Sequence, residues 1–459
     1  MKQDAQQAQR TSLNGRPYRR FYLSMRVKMA IAMLLSSLWL LGCTLLALPW
    51  IRDLAETFGL PLALMMVFGV ALVPGWANAY LISGLLLDRR PVYRIHKTLP
   101  PVTVLIAAYN EQDCIFETLH SVARQQYPGL VEIVVINDGS RDDTQGEIRR
   151  ARERLAGYPH IVIRSLDQQP NQGKAAALNL GLAEASHDIL VTVDADTSMY
   201  RDSLARLVTN LIDGPPNTAA VAGTVLVKNS RNSLMTRLQE WDYFLGIAVV
   251  KRIQSLYQGT LVAQGAFSAY WRSAVESVGG WENTVGEDIV LTWALHQKDY
   301  RVNYAENAFV FTNVPETYGQ FFRQRQRWSR GLIEAFLHHP GIIMKLRPYS
   351  PFVFFNLLFP YLDAAFLLFF LPGLIAALFF KVYALVGIMT LFLLPLMIFI
   401  NAVMYVHQRS IFRRHGLKVR HNFLGMLLYM FTYQILMSPA SLAGYLSELL
   451  RFKKNWGTK

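Results

Sequence analysis

Charged side chains are missing from several long stretches, and these stretches lie towards the two ends of the chain. Residues 29–50 and residues 59–87 contain no charged side chain. Three further apolar stretches follow the polar middle: 352–380, which Asp363 interrupts, 382–406 and 423–446. A helix needs about 20 residues to cross the hydrocarbon core of a bilayer. We therefore predict helical transmembrane segments on both sides of a polar middle region.

Lysine and arginine are concentrated in some of the segments that flank the apolar stretches and are scarce in others. Residues 1–28 contain seven of them and a single acid, whereas the short loop 51–58 contains only Arg52. Loops rich in basic residues stay in the cytoplasm. The N-terminus, the middle region and the basic loop 407–421 are therefore expected on the cytoplasmic side of the inner (plasma) membrane. A crossing by the last stretch would leave a basic tail outside, so this stretch is either re-entrant or an exception to the rule.

The chain divides into three predicted regions. Residues 1–98 hold a basic tail and two transmembrane helices, residues 99–345 a cytoplasmic domain, and residues 346–459 a membrane region with about three apolar segments. Within the domain, β-rich runs alternate with helical stretches, and the predicted strands are 102–108, 132–137, 161–166, 188–193 and 219–227. This alternation indicates an α/β fold with a mostly parallel sheet, covered on both faces, that binds ligands at the carboxyl ends of its strands.

Composition and charge narrow the possible functions. The chain has 46 Lys and Arg against 32 Asp and Glu, a net charge of +14. Much of this excess flanks the apolar stretches, where it fixes topology and meets anionic lipid headgroups, and no nucleic-acid-binding motif accompanies it. Two cysteines cannot form a disulfide framework. The sequence has no G-x-G-x-x-G after the first strand and no Walker A lysine loop, which disfavours a dinucleotide-dependent oxidoreductase and an ATPase.

Polar residues follow the predicted strands at the points where the strands end. Tyr109, Asn110 and Glu111 follow the first strand, and Asp138 follows the second. A single carboxylate in such a place is often only a turn or capping residue. These residues are therefore candidates whose role depends on what lies beside them in the fold.

A pair of carboxylates makes a stronger case. Asp194 and Asp196 close a hydrophobic strand, and strand alternation puts both side chains on the same side. Two carboxylates so placed suit a hard divalent cation that keeps water and phosphate ligands. Lys174 begins a helical stretch after a glycine-containing loop, where its ammonium group could reach a phosphate. The alternative for Lys174 is a solvated residue in the first turn of a helix.

A third candidate feature is the pentapeptide Gln-Arg-Gln-Arg-Trp in the second half of the middle region. On a helix, Gln324, Arg327 and Trp328 share one face. Arginine offers a planar fork for phosphate, and tryptophan offers an apolar plate for a sugar ring. A basic amphipathic helix at the membrane surface is the competing interpretation, and both can hold. The neighbouring arginines are predicted to face solvent or lipid headgroups: Arg323, Arg325 and Arg330.

Together these segments resemble the processive family 2 glycosyltransferases, which include cellulose, chitin, hyaluronan and poly-N-acetylglucosamine synthases. The likeness is greatest to the bacterial poly-β-1,6-N-acetylglucosamine synthases. This narrower likeness rests on overall length, the two N-terminal spans and the spacing of Gln-Gly-Lys-Ala. The resemblance to the family as a whole rests on segments that occur in the family's order: Asn110-Glu111, Asn137-Asp138-Gly139-Ser140, Asn171-Gln172-Gly173-Lys174, Asp194-Ala195-Asp196, Glu287-Asp288 and Gln324-Arg325-Gln326-Arg327-Trp328. Ala107 departs from the proline usual in the family, and Gln264 stands where a small residue often precedes the glycine. The second departure leaves the identity of the acceptor open.

The resemblance implies a GT-A-like domain and a role for each matched residue. The residues matched to nucleotide-sugar binding are Tyr109, Asn110, Glu111, Asp138, Lys174 and Asp194. Those matched to binding of Mg²⁺ or Mn²⁺ are Asp194 and Asp196. Those matched to catalysis are Glu287, Asp288, Gln324, Arg327 and Trp328. Asp288 is the expected general base, because a helix N-terminus favours an ionised carboxylate, although a capping role is the alternative.

The function implied by the resemblance is that of a membrane-embedded, inverting polymerase. It would join a nucleotide-activated sugar, UDP-N-acetylglucosamine by resemblance alone, into a β-linked exopolysaccharide. The implied partners are the UDP-sugar, the growing polysaccharide, membrane lipid and a small membrane subunit, with no nucleic acid. Two alternatives stay open. One is transfer of a single sugar to a polyprenyl-phosphate carrier, which needs no Gln-x-x-Arg-Trp segment; the other is a non-catalytic receptor or scaffold, which should have lost a key carboxylate.

Overall fold

The N-terminal part of the chain is a pair of long apolar helices. They are α1 (Met25–Phe58) and α2 (Leu60–Leu87), and many large apolar side chains of α1 are exposed. An apolar exterior of this kind suits a lipid environment rather than water. The computed structural model describes residues 23–90, 93–387, 390–391 and 393–452, so most of the predicted basic N-terminal flank lies outside it.

The middle of the chain forms one eight-stranded sheet with strand order β3-β2-β1-β4-β7-β6-β8-β5. Strands β1 to β4 pair in parallel, and β7 runs antiparallel to both β4 and β6. The prediction of a mostly parallel sheet is therefore confirmed for the half that carries the first four strands. The strands are β1 (Val102–Ala108), β2 (Val131–Asp138), β3 (Ile161–Gln168), β4 (Ile189–Val193), β5 (Ser198–Met199), β6 (Thr218–Val227), β7 (Phe267–Trp271) and β8 (Arg301–Thr312).

Helices cover both faces of this sheet, as the apolar strands predicted. In β1, Val104 and Ile106 pack into one core with Leu119, whereas Leu105 packs into the opposite core with Leu178. Alternate residues of one strand thus serve two cores. The helices of this region are α3 (Ile115–Ala123), α4 (Thr144–Arg154), α5 (Lys174–Glu184), α6 (Ser203–Ile212), α7 (Leu234–Trp241), α8 (Ala248–Leu256), α9 (Arg272–Ser277), α10 (Glu287–Gln297) and α11 (Tyr318–His338).

Three helices follow the sheet: α12 (Ser350–Phe380), α13 (Leu393–Arg414) and α14 (Phe423–Leu449). By length and composition, four helices of the described chain could cross a membrane, namely α1, α2, α12 and α14. The apolar stretch 382–406 is not one helix, because residues 382–387 are irregular and α13 begins only at Leu393. Pro395 lies in the first turn of α13, where its missing N–H is tolerated.

Helix α14 contacts the sheet domain at both of its ends. At its start, the indole N–H of Trp241 donates to the carbonyl oxygen of Asn422 at 2.8 Å. At its end, Arg330 Nε donates to Glu448 Oε2 at 2.7 Å. Both ends of α14 are therefore joined to this domain, and α14 packs along α11.

The packing of α14 on α11 depends on a glycine. A Cβ on Gly444 would lie 2.4 Å from the carbonyl oxygen of Gln326, so only a residue without a side chain fits there. Farther along, the hydroxyl of Tyr318 donates to the carbonyl oxygen of Leu436 at 3.4 Å. The backbones of α11 and α14 therefore meet at Gly444, and a side chain joins the two helices again near the start of α11.

A second glycine contact joins α10 to α11. A Cβ on Gly286 would lie 2.6 Å from Gly331 Cα, and the backbone N–H of Gly286 donates to Glu334 Oε2 at 3.0 Å. Gly286 immediately precedes α10, whose first residues are Glu287 and Asp288. The two glycines thus bring these acids against the helix that carries the pentapeptide.

This contact predicts the effect of one added methyl group. Alanine at Gly331 would put its Cβ 2.8 Å from Gly286 Cα, so Gly331→Ala should destabilise the fold by about 1–3 kcal/mol, the usual cost of overpacking. In Gly319→Ala, on the same helix, the nearest neighbour is Arg323 Nη1 at 3.9 Å, and stability should not fall. Thermal melting of both variants in detergent checks this, and equal melting temperatures would contradict the close contact.

Candidate active site

A single large cavity runs along the carboxyl ends of the parallel strands and continues between the apolar helices. Its volume is about 1700 Å³. Every residue proposed for the site from the sequence lines it: Tyr109, Asn110, Glu111, Asp138, Lys174, Asp194, Asp196, Glu287, Asp288, Gln324, Arg327 and Trp328. The fold therefore brings together segments that are more than 200 residues apart in the sequence.

Asp138 holds the loop that leads to Lys174. Its two carboxylate oxygens accept from the backbone N–H groups of Gln172 and Gly173, each at 2.8 Å, and Oδ1 also accepts from Gln168 Nε2 at 3.0 Å. Asp138 is buried, with 3% of its surface exposed. Its carboxylate therefore shapes the cavity wall by fixing a loop, whatever it contacts in a ligand.

Lys174, the first residue of α5, is an ion-pair centre rather than a solvated residue. Its Nζ lies 2.6 Å from Asp194 Oδ1 and 3.3 Å from Glu287 Oε1. Burial alone would lower the pKa of Lys174, but the charges of Asp194 and Glu287 outweigh it and raise the pKa above its usual value. Lys174 therefore stays cationic and links the end of β4 to the start of α10.

The second carboxylate of the pair, Asp196, lies in a crowded acidic environment. Burial and the charges of Asp194 and Glu111 raise the pKa of Asp196 to about 6, and the hydroxyl of Thr312 donates to its Oδ1 at 3.1 Å. A carboxylate that lies beside other carboxylates in this way favours a nearby cation. The donor set at Asp194 and Asp196 thus fits a hard divalent ion.

The number of protein ligands also bears on the metal. Within residues 23–90, 93–387, 390–391 and 393–452, no group of three His, Cys, Asp or Glu side chains converges on a common metal position. A cation at Asp194 and Asp196 would therefore take its other ligands from water and from a bound phosphate. That arrangement is typical of Mg²⁺ and differs from a cage made only of protein ligands.

Asp288 lies at the N-terminus of α10 and faces the loop before β7. Its Oδ2 accepts from the backbone N–H of Gly265 at 3.3 Å, and its Oδ1 accepts from the N–H of Ile289 at 2.8 Å. Burial and the charge of Asp288 raise the pKa of the neighbouring Glu287, and Lys174 opposes that rise. The helix start therefore offers two carboxylates with different environments, one paired with a lysine and one half-buried at the cavity.

The pentapeptide lies in α11, as its spacing predicted. Gln324 is buried, and its Oε1 has no hydrogen-bond partner in the described part of the chain. Trp328 is 39% exposed, and its ring lies 6.4 Å from that of Tyr243. An unpaired buried amide and a half-open indole on one cavity wall suit a ligand that brings hydroxyl groups and an apolar ring face.

The prediction that the neighbouring arginines face solvent or headgroups is wrong for two of the three. Arg323 is exposed. Arg325 is buried and paired with Asp242 at 2.7 Å, and Arg330 is buried and paired with Glu448. These partners lie 83 and 118 residues away in the sequence, so no local pattern could show them.

Sequence reasoning also missed a lysine on the cavity wall. Lys251 in α8 is buried and donates to the carbonyl oxygen of Val262 at 2.6 Å. Burial lowers the pKa of Lys251 to about 8, and the charge of Asp288 opposes that decrease. In the sequence, the segment 233–255 has the helical periodicity typical of packing. The presence of a lysine in this segment was the one available signal that it forms a polar part of the cavity wall.

The sequence and fold of the domain have known relatives. Residues 103–279 match the family model described as "Glycosyl transferase family 2". These residues form a family 2 glycosyltransferase domain. The chain is 34% identical over 268 residues to the poly-beta-1,6-N-acetyl-D-glucosamine synthase of Staphylococcus aureus, a match that covers 58% of this chain and 63% of that protein. The corresponding enzyme of Staphylococcus epidermidis is 32% identical over 259 residues, with 56% and 61% covered. The chain thus matches less than two thirds of the length of these curated relatives.

The glycosyltransferase domain also has a structural relative. A mannosyltransferase from Pyrobaculum calidifontis, solved with GDP-Man and Mn²⁺, superposes with a TM-score of 0.53 and 21% sequence identity. The match covers 88% of this chain and 99% of that chain. At this identity the likeness concerns the fold alone, and it confirms the predicted GT-A-like architecture with apolar helices before and after the domain.

The contacts of Asp138 predict a local effect of its charge. In Asp138→Asn one of the two acceptor oxygens becomes an amide nitrogen, so either Gln172 or Gly173 loses its acceptor at a cost of ~1–3 kcal/mol. Hydrogen exchange should become faster at these two backbone amides. The control Asp113→Asn neutralises an exposed aspartate nearby. It should leave hydrogen exchange at the two backbone amides unchanged. Equal protection in both variants would show that Asp138 does not hold the loop.

Proposed function

We propose that this protein is a membrane-embedded, inverting glycosyltransferase that polymerises UDP-N-acetylglucosamine into a β-linked exopolysaccharide. The observation that carries the proposal is the course of the cavity. It begins at Asp194 and Asp196, passes Trp328 and reaches Asp363 between α12 and α14. An enzyme that transfers one sugar needs the first part of this cavity, whereas one that extrudes a chain needs all of it.

The donor is held at the carboxyl ends of the parallel strands. Lys174 would neutralise part of the diphosphate charge, and Tyr109 at the end of β1 would lie beside the base. Asp194 and Asp196 would hold Mg²⁺ or Mn²⁺, which when bound offsets the charge of the leaving diphosphate. Relatives with this domain support a nucleotide-sugar donor, and the mannosyltransferase solved with Mn²⁺ supports a divalent cation.

The reaction is one displacement at the anomeric carbon. Asp288 takes the proton of the acceptor hydroxyl while the acceptor oxygen bonds to the anomeric carbon and the bond to the diphosphate breaks. UDP leaves, and the configuration at the carbon inverts, so an α-linked donor gives a β-linked product. Glu287, held by Lys174 at 3.3 Å, keeps the helix start in place beside the leaving diphosphate.

The acceptor end of the growing chain would rest on Trp328, with Gln324 and Arg327 at its side. Beyond this point the cavity wall turns into membrane helix. There the carboxylate of Asp363 accepts from Ser438 Oγ at 2.7 Å, Gln434 Nε2 at 2.9 Å and Tyr445 OH at 3.2 Å. Asp363 belongs to the membrane helix α12, whereas its three partners belong to α14. An acid inside a membrane helix is costly and tends to mark a path for polar cargo. A polysaccharide is such a cargo, and bilayer lipid or a small membrane subunit would cover the exposed apolar side chains of α1.

The activity is tested with the full-length protein in membranes or detergent, radiolabelled UDP-N-acetylglucosamine and Mn²⁺. We expect long polymer and one UDP for each sugar incorporated, loss of both with a chelator, and recovery with Mg²⁺ or Mn²⁺. Asp194→Asn, Asp196→Asn and Asp288→Asn should each reduce the rate by about 100-fold or more, whereas Glu153→Gln, an exposed residue of α4, should not. Short lipid-linked products would favour transfer to a polyprenyl phosphate, and no transfer from any nucleotide sugar would favour a non-catalytic receptor.

We also propose that α14 lies on the cytoplasmic face of the inner (plasma) membrane rather than crossing it. Its two ends contact Trp241 and Arg330 of the same domain, and α13 returns to that domain, where Gln408 Nε2 donates to the carbonyl oxygen of Phe244 at 2.9 Å. Helix α12 would then cross outward, and α13 would bring the chain back, although α13 is not one of the four helices that are apolar enough to span a membrane by length and composition. The basic residues after α14 stay in the cytoplasm, in agreement with the bias of basic loops.

Reporter fusions test this topology. Green fluorescent protein fused to the C-terminus should fluoresce, and alkaline phosphatase at the same place should be inactive. The matched control places the same reporters after Lys381, between α12 and α13, where the phosphatase should be active. An active phosphatase at the C-terminus would show that α14 crosses the membrane.

A further inference from the structure

Arg325 is a buried arginine that the proposed reaction does not use. It is 2% exposed, and its Nη2 lies 2.7 Å from Asp242 Oδ2, a residue that is also buried. Its Nη1 donates to the hydroxyl of Tyr433 on α14 at 3.2 Å. The guanidinium carbon lies 4.2 Å from the ring centroid of Trp328. The side chain of Arg325 thus contacts Trp328 on its own helix, Asp242 just after α7 and Tyr433 on α14.

Stability alone is a weak reason for such a pair. Burying two charges costs about as much as their attraction returns, and an apolar pair of the same volume would often stabilise the fold more. A guanidinium stacked on an indole, however, fixes the plane of the ring. The location beneath Trp328 therefore points to a role in holding that ring.

Asp242 lies in a segment that also contacts Trp328. It opens the π-helical turn Asp242–Ile247, which separates α7 from α8. The next residue, Tyr243, packs its ring against Trp328 at an interplanar angle of 53°. Widened helical turns of this kind occur often at functional sites. One turn of the chain therefore supplies both the anion for Arg325 and the aromatic neighbour of Trp328.

We propose that Arg325 and Asp242 form a positioning pair that holds the Trp328 ring as the platform for the acceptor sugar. Through Tyr433 the pair also ties this platform to α14, which walls the continuation of the cavity. The inference rests on the proposed function, since it concerns the acceptor of that reaction. It assigns the pair to acceptor binding and not to donor binding, because Lys174, Asp194 and Asp196 hold the donor side without contact to Arg325.

The conservative variant Arg325→Lys tests the pair. Lysine keeps the charge for Asp242 but loses the planar group that stacks on the indole. We expect the KM for a β-1,6-linked N-acetylglucosamine oligosaccharide to rise about tenfold, equivalent to ~1.4 kcal/mol, and the polymer to become shorter. The KM for UDP-N-acetylglucosamine and the slow hydrolysis of donor without acceptor should stay within about twofold of the wild type. Arg323→Lys, an exposed arginine on the same helix, should change neither quantity.

Asp242→Asn is the second variant, and it keeps a hydrogen-bonding group while it removes the charge. It should show the same acceptor defect, and the double variant should be less than additive because the two residues act as one unit. Equal losses of donor and acceptor affinity, or an unchanged acceptor KM and product length, would overturn the positioning role. A wild-type protein that turns over no UDP-sugar would instead refute the proposed function, and with it this inference. If Arg325→Lys failed to fold and Asp242→Asn folded with a normal KM for the acceptor, the pair would be assigned to stability alone.

Discussion

Gly286 and Gly331 have no side chains, and their backbones meet where the start of α10 crosses α11. This contact decides how far Asp288 lies from Trp328, because each residue is only a few positions from one of the two glycines. The carboxylate of Glu334 secures the crossing through the N–H of Gly286. The site therefore depends first on the close backbone contact that these two glycines allow, and then on the charged groups around it.

Those charged groups are mostly acids that repel one another. Glu111, Asp194, Asp196, Glu287 and Asp288 line one cavity in which Lys174 is the cation paired with two of them. Burial raises the pKa of Asp196 and of Glu287, and nearby acids add to the increase: Asp194 and Glu111 for Asp196, and Asp288 for Glu287. A nucleoside diphosphate would add more negative charge. A bound divalent cation would then reduce both the repulsion among the acids and the repulsion between the acids and the diphosphate. The electrostatics of the cavity thus agree with the proposed donor and with its metal.

Much of the fold follows from local patterns, and part of it cannot. The apolar run 102–108 became β1 with the predicted ends, because a strand buried on both faces is continuous in the sequence. Strands β7 and β8 were not predicted, since their antiparallel and mixed pairing joins segments that are distant along the chain. In the same way, each acid at a strand end could be identified as a candidate, but the burial of Arg325 depends on an aspartate 83 residues away.

We propose that one cavity receives the donor at its sheet end and the acceptor at Trp328. A structure of the protein determined by electron cryomicroscopy with UDP, Mn²⁺ and a short β-1,6-linked oligosaccharide would test this arrangement. We expect the diphosphate between Lys174 and the Asp194–Asp196 pair, and a sugar ring stacked on Trp328 with a hydroxyl facing Asp288. Nucleotide bound elsewhere, or an oligosaccharide that does not contact α11, would contradict it.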